Sequence, residues 1–533
     1  MKTFKRFSAI LLTVLLMVSM MVIPASADDT TYTITINGND ADHEYEAYRI
    51  FAGSLYTTGG GDTGIPETVV LSNIVWGDGV TSTGQSHFGD AKVKASSLGT
   101  PAGALAFAKE LVSSGYLGTA AGTSSYAGGK YTISVTGAGY YLIKDVSGSL
   151  GENEYHAYTD YILKVVKNVS VDPKAANASL TLQVANTENG SYAEAVNTAI
   201  GREVFVEMNG SMTPMISTYG TYKMVFEATL PTSMDYAGDG LVKVMVTNDL
   251  DAESHDATLG TDYSVNYDAG TRKLTVTVEN AASTITRLTE NAPLVDDNVV
   301  VHFGVRLNTS AVIGKVGNSI KGQMKFSNDP NNNTLGTTPE QSAEIYTYTL
   351  QVDKVDSNSA ATKLANAQFK LWRYEGSGSS AVRYAKADDL GGGKYKITTS
   401  TADEADATIF VTNGTGQIII EGIADGTYHM TETAPPAGYN SLEGSFGFNS
   451  TAALSPLDGT VTGFTANKAG SMAGISVSAD SENCTVLVVV QNTAGSQLPE
   501  TGGIGTTIFY GIGGVLVIAA LALLTVRKRS TAK

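Results

Sequence analysis

Hydrophobic and polar residues alternate with a period of two along most of the chain, which is typical of half-buried β-strands. Thr, Val, Ile and Tyr dominate the alternating segments, and Gly, Asn, Asp and Ser interrupt them. Many short strands with frequent turns predict an all-β fold of tandem β-sandwiches. The alternation is clearest in residues 32–36, 130–135, 273–278, 299–303, 394–398, 417–420 and 485–490.

A helical pattern is sparse, and its best candidate is residues 101–113, which begin with Pro and place Ala and Leu at helical spacing. Two polar, Pro-containing segments, at 171–177 and 327–333, interrupt the alternating pattern and indicate domain boundaries. We therefore predict three β domains between the two chain ends, a number that the length of 533 residues also favours. Their predicted bounds are 28–173, 174–346 and 347–496.

The N-terminus has the three parts of a secretory signal peptide. Three positive charges in residues 1–6 precede an apolar run at 10–23, and Ala25-Ser26-Ala27 follows. We predict a signal peptide over residues 1–27 with cleavage after Ala27. An uncleaved membrane anchor is the alternative, although the apolar run is short for crossing a bilayer.

The C-terminal segment, residues 497–533, combines the sequence LPETG, a charge-free stretch at 504–526 and the basic tail Arg527-Lys528-Arg529. The charge-free stretch has 23 residues (526 − 504 + 1), which suffices for a transmembrane helix at ~1.5 Å per residue. The basic end is expected to stay in the cytoplasm. A plain single-span membrane anchor is the alternative.

This order resembles the cell-wall sorting signal of Gram-positive surface proteins, which sortase transpeptidases read. The resemblance implies cleavage after Thr501 and transfer of the Thr501 carbonyl to an amine. The exported chain, residues 28–501, would carry 28 Lys plus Arg against 52 Asp plus Glu, a net charge of −24. Such an acidic chain is not expected to bind nucleic acid. The sorting motif comprises Leu498, Pro499, Glu500, Thr501 and Gly502.

The residue inventory offers little other chemistry. Cys484 is the single cysteine, so no disulfide can form within the chain, which is unusual for an exported protein. The six histidines are scattered, and none is spaced as a metal-binding pair. We expect no metal site and no cofactor.

Four motifs mark the third predicted domain: 348–356 (YTLQVDKVD), 364–371 (LANAQFKL), 428–439 (YHMTETAPPAGY) and 488–493 (VVVQNT). In this order they resemble the collagen-adhesin B-type (CnaB) immunoglobulin-like domain of Gram-positive surface proteins. In that family a lysine of the first strand is bonded to an asparagine of the last strand, with a buried glutamate nearby. Matched motif by motif, these residues are Lys354, Asn492 and Glu432.

The implied reaction is chemically reasonable. A buried lysine favours its neutral form, and a neutral ε-amine is a nucleophile. A carboxyl group buried beside it can stay protonated, polarise the asparagine carboxamide and pass a proton to the leaving ammonia. The resemblance therefore implies an intramolecular isopeptide bond between Lys354 and Asn492, promoted by Glu432. Three ordinary strand residues are the alternative.

Lys174 lies in the sequence Val-Asp-Pro-Lys between the first and second predicted domains. Proline disfavours a helix before it, so the lysine is expected in an extended segment. In this position it resembles the pilin-motif lysine of sortase-built pili, although Asp172 departs from the usual motif. The resemblance implies that the Lys174 amine attacks the acyl-enzyme formed on Thr501 of another subunit. A solvated boundary lysine is the alternative.

The first two domains also resemble parts of pilins. Residues 32–36, 45–51 and 139–145 look like the N-terminal domain of major pilins, and the second domain looks like the A-type (CnaA) sandwich of pilin shafts. The first domain has no lysine before Lys92, and the opening strand of the second domain has none. We therefore predict no Lys–Asn bond in the usual place of either domain, while a bond between other residues stays an open alternative. In the second domain the carboxyl position of the family corresponds to Glu227, and Asn328 is expected to be a turn residue.

Together these features predict the major (backbone) subunit of a sortase-assembled pilus in the fimbrium of a Gram-positive bacterium. Its expected partners are further copies of itself, pilus and housekeeping sortases, peptidoglycan and accessory pilins. It would be a substrate of transpeptidases and not an enzyme. A monomeric wall-anchored adhesin is the main alternative. A wall-anchored hydrolase is a third class, for which the sequence offers no catalytic constellation.

Overall fold

A computed structural model describes residues 30–38, 43–58, 68–146, 160–171, 178–213, 216, 219–248, 250, 253–293, 297–330, 333–375, 381–495 and 504–530. The polypeptide is mostly β, which confirms the predicted fold class. Its strands form five hydrogen-bonded sheets. These sheets come from three consecutive regions of the chain, called here the first (31–171), middle (180–346) and third (348–492) regions.

The first region forms two sheets and three helices. Its described elements are β1 (Thr31–Asn37), β2 (Tyr45–Thr58), β3 (Thr68–Trp76), α1 (Ser82–Phe88), α2 (Ala91–Ser97), α3 (Pro101–Ser113), β4 (Gly122–Thr123), β5 (Ser125–Tyr126), β6 (Lys130–Thr136), β7 (Gly139–Asp145), β8 (Asp160–Val165) and β9 (Val169–Val171).

Strand β1 lies inside the first of these sheets, whose strand order is β5–β6–β1–β9. It pairs antiparallel with β6 and parallel with β9. Ile34 and Ile36 of β1 and Ile133 of β6 are completely buried, as the alternating pattern predicts. The second sheet has the order β3–β2–β7–β8, and β4 pairs with β2.

Helix α3 confirms the helix predicted at 101–113. The Thr100 side chain accepts a hydrogen bond from the Gly103 amide, and Pro101 begins the first turn. Helices α1 and α2 were not predicted, because seven residues are too few to show a helical period. Each nevertheless begins at a side-chain cap, Thr81 and Asp90 respectively.

The middle region forms a six-stranded and a seven-stranded sheet. Its described elements are β10 (Leu180–Ala185), β11 (Ala195–Asn197), β12 (Glu203–Ser211), β13 (Met224–Thr229), β14 (Met234–Tyr236), β15 (Lys243–Thr247), β16 (Ser254–Asp256), β17 (Tyr263–Asp268), β18 (Lys273–Val278), α4 (Ala281–Thr289), β19 (Asn298–Leu307), β20 (Asn318–Ser327), β21 (Leu335–Thr337) and β22 (Gln341–Tyr346).

The two middle sheets pack face to face as a sandwich. One has the order β10–β12–β19–β15–β16, with β14 on β19, and the other β11–β22–β20–β13–β18–β17, with β21 on β20. A β-carbon placed on Gly210 of β12 would lie 2.5 Å from Met324 Sδ and 2.8 Å from the Phe226 ring in the facing sheet. The sheets therefore approach so closely there that only glycine fits.

The third region forms a single sheet of twelve strands. Its described strands are β23 (Tyr348–Asp356), β24 (Ser359–Lys363), β25 (Gln368–Glu375), β26 (Ala381–Gly391), β27 (Lys394–Thr401), β28 (Phe410–Val411), β29 (Gln417–Ile423), β30 (Gly426–Ala434), β31 (Ser445–Leu454), β32 (Val461–Ala469), β33 (Ile475–Asp480) and β34 (Thr485–Asn492).

The first and last long strands of this region are neighbours. The strand order is β32–β31–β30–β25–β26–β27–β29–β23–β34–β33, with β24 on β23 and β28 on β25. Strands β23 and β34 pair in parallel, from Thr349 opposite Thr485 to Asp356 opposite Asn492. The strand that enters the third region is therefore hydrogen-bonded to the strand that leaves it.

The chain ends in helix α5 (Ile504–Ser530). In the part of the chain whose side chains the structure describes, no helix is long and apolar enough to cross a membrane. The predicted signal peptide, residues 1–27 with cleavage after Ala27, lies outside the described residues.

Candidate functional site

Lys354 and Asn492 reach the interior because of the strands that carry them. In β23 the inward positions are Tyr348, Leu350, Val352 and Lys354, so the lysine takes the next place in an otherwise apolar row. In β34 the row Val486, Val488 and Val490 ends at Asn492 in the same way. The alternation of each strand thus places a polar side chain at the end of a hydrophobic row.

Glu432 comes from a third strand, β30, where it follows the buried residues Tyr428 and Met430 on the inward face. Its backbone lies opposite Phe369 of β25. Lys354, Glu432 and Asn492 are called the triad below. Their exposed fractions are 0%, 6% and 1% respectively, so all three polar side chains lie inside the protein.

The triad is closed by hydrogen bonds on all three sides. The Lys354 Nζ donates to Asn492 Oδ1 and lies 3.1 Å from Glu432 Oε1. The Asn492 Nδ2 donates to Glu432 Oε1 at 3.0 Å and Oε2 at 3.2 Å. The carboxamide therefore presents its oxygen to the lysine and its nitrogen to the glutamate.

The surroundings of Lys354 favour a neutral amine. Burial lowers the pKa of Lys354 to about 8, against the opposing attraction of the Glu432 carboxylate. An aromatic ring, that of Phe369, is centred 5.6 Å from the lysine Nζ. The uncharged, nucleophilic form of this amine is therefore more accessible than that of an exposed lysine, although most of the amine is still protonated at pH 7.

The loop that follows β30 covers the triad, and its role was not predicted from the sequence. The backbone amide of Leu442 donates to Glu432 Oε2 at 2.9 Å. The Tyr439 hydroxyl donates to Asp356 Oδ2 at 2.8 Å, at the end of β23. The signal for this cover was present in the sequence as the segment Pro-Pro-Ala-Gly-Tyr before residue 440.

A small cavity of about 320 Å³ lies directly beside Asn492. Its lining includes Ser357, Ser441, Leu442 and Gln491. Chemically, the triad can join an amine to a carboxamide carbon, with a carboxyl group in contact with both partners.

The middle region places its buried carboxylate in a different setting. Glu227 Oε1 lies 2.9 Å from Lys273 Nζ and 3.2 Å from Lys325 Nζ, and its Oε2 accepts a hydrogen bond from Gln323 at 2.9 Å. Burial alone would raise the pKa of Glu227, but the bonds from these three side chains lower it below its ordinary value.

Asn328 accepts a hydrogen bond from the Thr334 hydroxyl at 2.9 Å and is 7% exposed.

Within the described ranges, no group of three or more His, Cys, Asp or Glu side chains is arranged to hold a metal ion. The structure therefore brings together Lys354, Glu432 and Asn492 among the predicted site residues. Lys174 and the sorting motif Leu498–Gly502, including Thr501, lie outside the described residues.

Two family models match the C-terminal half of the chain. Residues 348–451 match a prealbumin-like fold domain. Residues 490–533 match the LPXTG cell wall anchor motif. The first match contains Lys354 and Glu432, and the second contains Asn492 and the predicted sorting motif.

A curated relative is the trypsin-resistant surface T6 protein of Streptococcus pyogenes serotype M6, which is 25% identical over 280 residues. The match covers 43% of this chain and 48% of that protein, so the chain spans about half the length of this relative.

Two solved structures are similar at low sequence identity. The T6 backbone pilin of serotype M6 S. pyogenes has 15% identity and a TM-score of 0.48, covering 89% of this chain and 100% of that chain. The major pilin SpaD of Corynebacterium diphtheriae has 16% identity and a TM-score of 0.45, covering 88% and 99%.

The anchor match confirms the predicted sorting signal and, with it, the predicted location on a Gram-positive cell wall. The chain is a cell-wall-anchored protein whose third region matches the prealbumin-like fold domain.

Proposed function

We propose that the chain is the structural backbone subunit of a covalently polymerised, cell-wall-anchored pilus. In this proposal sortase joins Thr501 of one subunit to the Lys174 amine of the next, and the finished shaft is transferred to peptidoglycan. Further copies of the chain, pilus and housekeeping sortases and accessory pilins are its partners. The chain is a substrate of transpeptidases, and its own chemistry occurs once per molecule, so it is not an enzyme.

The observation that carries this proposal is the buried contact between the strand that enters the third region and the strand that leaves it. A pulling force on a shaft would reach the region before Tyr348 and leave it after Asn492, toward the sorting motif. Strands β23 and β34 are parallel neighbours, so the force would act along them in opposite directions. A covalent link between Lys354 and Asn492 would carry the load across this pair without unfolding the sheet.

The proposed link forms by amide exchange. The neutral Lys354 Nζ attacks the Asn492 side-chain carbonyl carbon, and the carbon–nitrogen bond to Nδ2 breaks. Glu432 contacts the amine and the leaving nitrogen, so it can take a proton from the first and give one to the second. Ammonia leaves, an amide joins the two strands, and no oxidant or cofactor is consumed.

The comparisons support the same function. The anchor motif supplies a sorting threonine at the C-terminal end of the exported chain. The streptococcal relative is described as a trypsin-resistant surface protein, and amide cross-links between strands would favour such resistance by preventing local opening. A shaft held by these bonds needs no disulfide, which agrees with the single cysteine of this chain.

The test is an immunoblot of cell-surface extracts from bacteria that produce the chain with its sortase. We expect a ladder of covalent multimers for the wild type and a single monomer band for Lys174→Ala. Lys167→Ala is the matched control, because Lys167 is an exposed lysine seven residues upstream (174 − 167), and it should leave the ladder intact. A single wild-type band would favour the monomeric wall-anchored adhesin instead.

A further inference from the structure

A second and larger cavity, of about 460 Å³, opens between the middle and third regions. Its walls come from the start of β12 and the end of β19 on one side, and from β25, β26, β27 and β30 on the other. None of the three triad residues lines it. The volume lies within the range of small-molecule binding sites, about 300–1,000 Å³.

The walls of this cleft are held in place by contacts between the two regions. The backbone amide of Ile200 donates to the Gly422 carbonyl at 3.0 Å, and the Asn197 side chain donates to Asp425 at 3.3 Å. Gly201 has a φ of +80°, and a β-carbon there would lie 2.1 Å from the Thr398 carbonyl oxygen. This close approach requires glycine, so the middle and third regions are in direct backbone contact beside the cleft.

Arginine is concentrated at this cleft. Residues 28–501 contain seven arginines, at positions 49, 202, 272, 287, 306, 373 and 383. Four of the seven line the cavity, although the exported chain carries a net charge of −24 (28 − 52). The four are Arg202, Arg306, Arg373 and Arg383.

Two of these arginines lie so close together that their positive charges repel each other, and a bound anion would relieve this repulsion. Arg373 of β25 and Arg383 of β26 are directly opposite each other in the antiparallel pair, so both side chains lie on the same face of the sheet. Like charges in this position destabilise a strand pair. The inward row of β25 also changes abruptly, from buried Phe369 and Leu371 to Arg373.

Arg306 is ion-paired with Glu203, which also lines the cleft. Arg202 and Arg383 have weaker acidic contacts. Glu375 lies 3.9 Å from Arg202 and 3.7 Å from Arg383, both too far for hydrogen bonds. Arg373 donates to the Tyr428 hydroxyl at 3.0 Å, but its Nε is buried with no hydrogen-bond partner among the described residues. A guanidinium group offers five N–H donors, and its planar fork matches a carboxylate.

The other lining residues indicate the chemistry of the part of the ligand that the arginines do not bind. The lining includes the apolar side chains of Ile200 and Ile397. It also includes polar residues with hydroxyl or amide groups: Asn186, Thr399 and Ser400. We propose that this cleft binds a small ligand with one carboxylate on a hydroxylated body, such as an acidic monosaccharide. Three glutamates in the lining would disfavour a doubly charged phosphate: Glu188, Glu203 and Glu375.

Binding at this cleft goes beyond the proposed structural role and can be tested on the full-length chain in detergent micelles. Calorimetry and saturation-transfer NMR with glucuronate are expected to show saturable binding, and glucose, which lacks the carboxylate, should show none. Arg383→Gln should weaken glucuronate binding by about tenfold or more, because it removes a charged hydrogen-bond donor. Arg373→Gln should do the same.

The matched control is Arg287→Gln, since Arg287 pairs with Asp262 and does not line the cleft; it should bind glucuronate as the wild type does. The proposal is overturned if glucuronate does not bind, if glucose binds equally well, or if both cleft variants bind glucuronate with unchanged affinity. Arg383→Gln should still form the multimer ladder, because Arg383 takes no part in the proposed linkage between Lys174 and Thr501. A failure of the cleft proposal is therefore distinguishable from a failure of the pilus proposal.

Discussion

Lys354 and Asn492 contact each other in the buried interior of the third sheet, although 138 positions separate them in the sequence. The contact joins the two parallel strands β23 and β34 near the end of their pairing. Glu432 touches both side chains. Because the anchor motif begins at the end of β34, this contact lies next to the point at which a wall-anchored chain would bear load.

The first prediction concerns Lys354→Ala. Without the amine no amide can form, so the purified chain should have its full unmodified mass, whereas the wild type should be lighter by one ammonia. Losing a covalent cross-link between distant parts of the chain should also destabilise the protein, by about 2–5 kcal/mol if it acts as a native disulfide does. Intact mass spectrometry and calorimetric unfolding measure the two effects.

Lys363→Ala is the control for that experiment, because Lys363 lies on β24, is 41% exposed and makes only a distant contact with Asp353. It should keep the mass deficit and most of the stability. A wild-type chain with its full mass would contradict the proposed bond.

The second prediction concerns Glu432→Gln, which preserves the size of the side chain but removes the carboxyl group. Glutamine cannot carry the proton between the amine and the leaving nitrogen, so the amide should not form. Peptide mapping should then recover the Lys354 and Asn492 peptides separately. Glu404→Gln is the control, since Glu404 is 59% exposed and bonds Lys370. Loss of ammonia in the Glu432 variant would show that the carboxyl group is dispensable.

The third prediction concerns Glu227→Gln in the middle region. Burial opposes the charged carboxylate, but the bonds from Lys273, Gln323 and Lys325 lower the pKa of Glu227 in the folded chain. A lowered folded-state pKa stabilises the fold above the unfolded value, about 4.3, and this stabilisation is lost as the pH falls through the folded pKa. The wild type should therefore lose more stability than the variant on acidification.

At neutral pH the Glu227→Gln variant should be less stable by about 1.5–3 kcal/mol, the usual contribution of a hydrogen bond to a charged group. Denaturant unfolding at neutral and acidic pH measures both effects. Glu279→Gln is the matched control, because Glu279 is 71% exposed and pairs with a lysine. Equal acid sensitivity in wild type and Glu227→Gln would exclude a stabilising role for the carboxylate.

Much of this arrangement follows from local sequence patterns. The alternation in β23 and β34 places Lys354 and Asn492 on inward positions, and the Pro at position 101 marks the start of α3. The three residues of the triad were assigned by motif resemblance, and the structure places their side chains within hydrogen-bonding distance. Whether they are bonded stays a prediction.

Other features depend on which strands become neighbours, which local patterns do not reveal. The side chains that bond to Glu227 come from β18 and β20, the two strands on either side of β13. Arg373 and Arg383 are ten residues apart (383 − 373), and only the register of β25 and β26 places them opposite each other. The cleft itself requires the packing of two regions. Short helices such as α1 were not predicted, because seven residues are too few to show the helical repeat of hydrophobic positions.

The most direct test of the covalent shaft is mass spectrometry of polymers purified from the cell surface and digested with a protease. If sortase joins the subunits as proposed, the digest will contain a branched peptide in which the Lys174 side-chain amine is joined to the Thr501 carbonyl of another copy. The proposed linkage would be contradicted if every Lys174 peptide carried a free amine and Thr501 were found joined only to cell-wall amines.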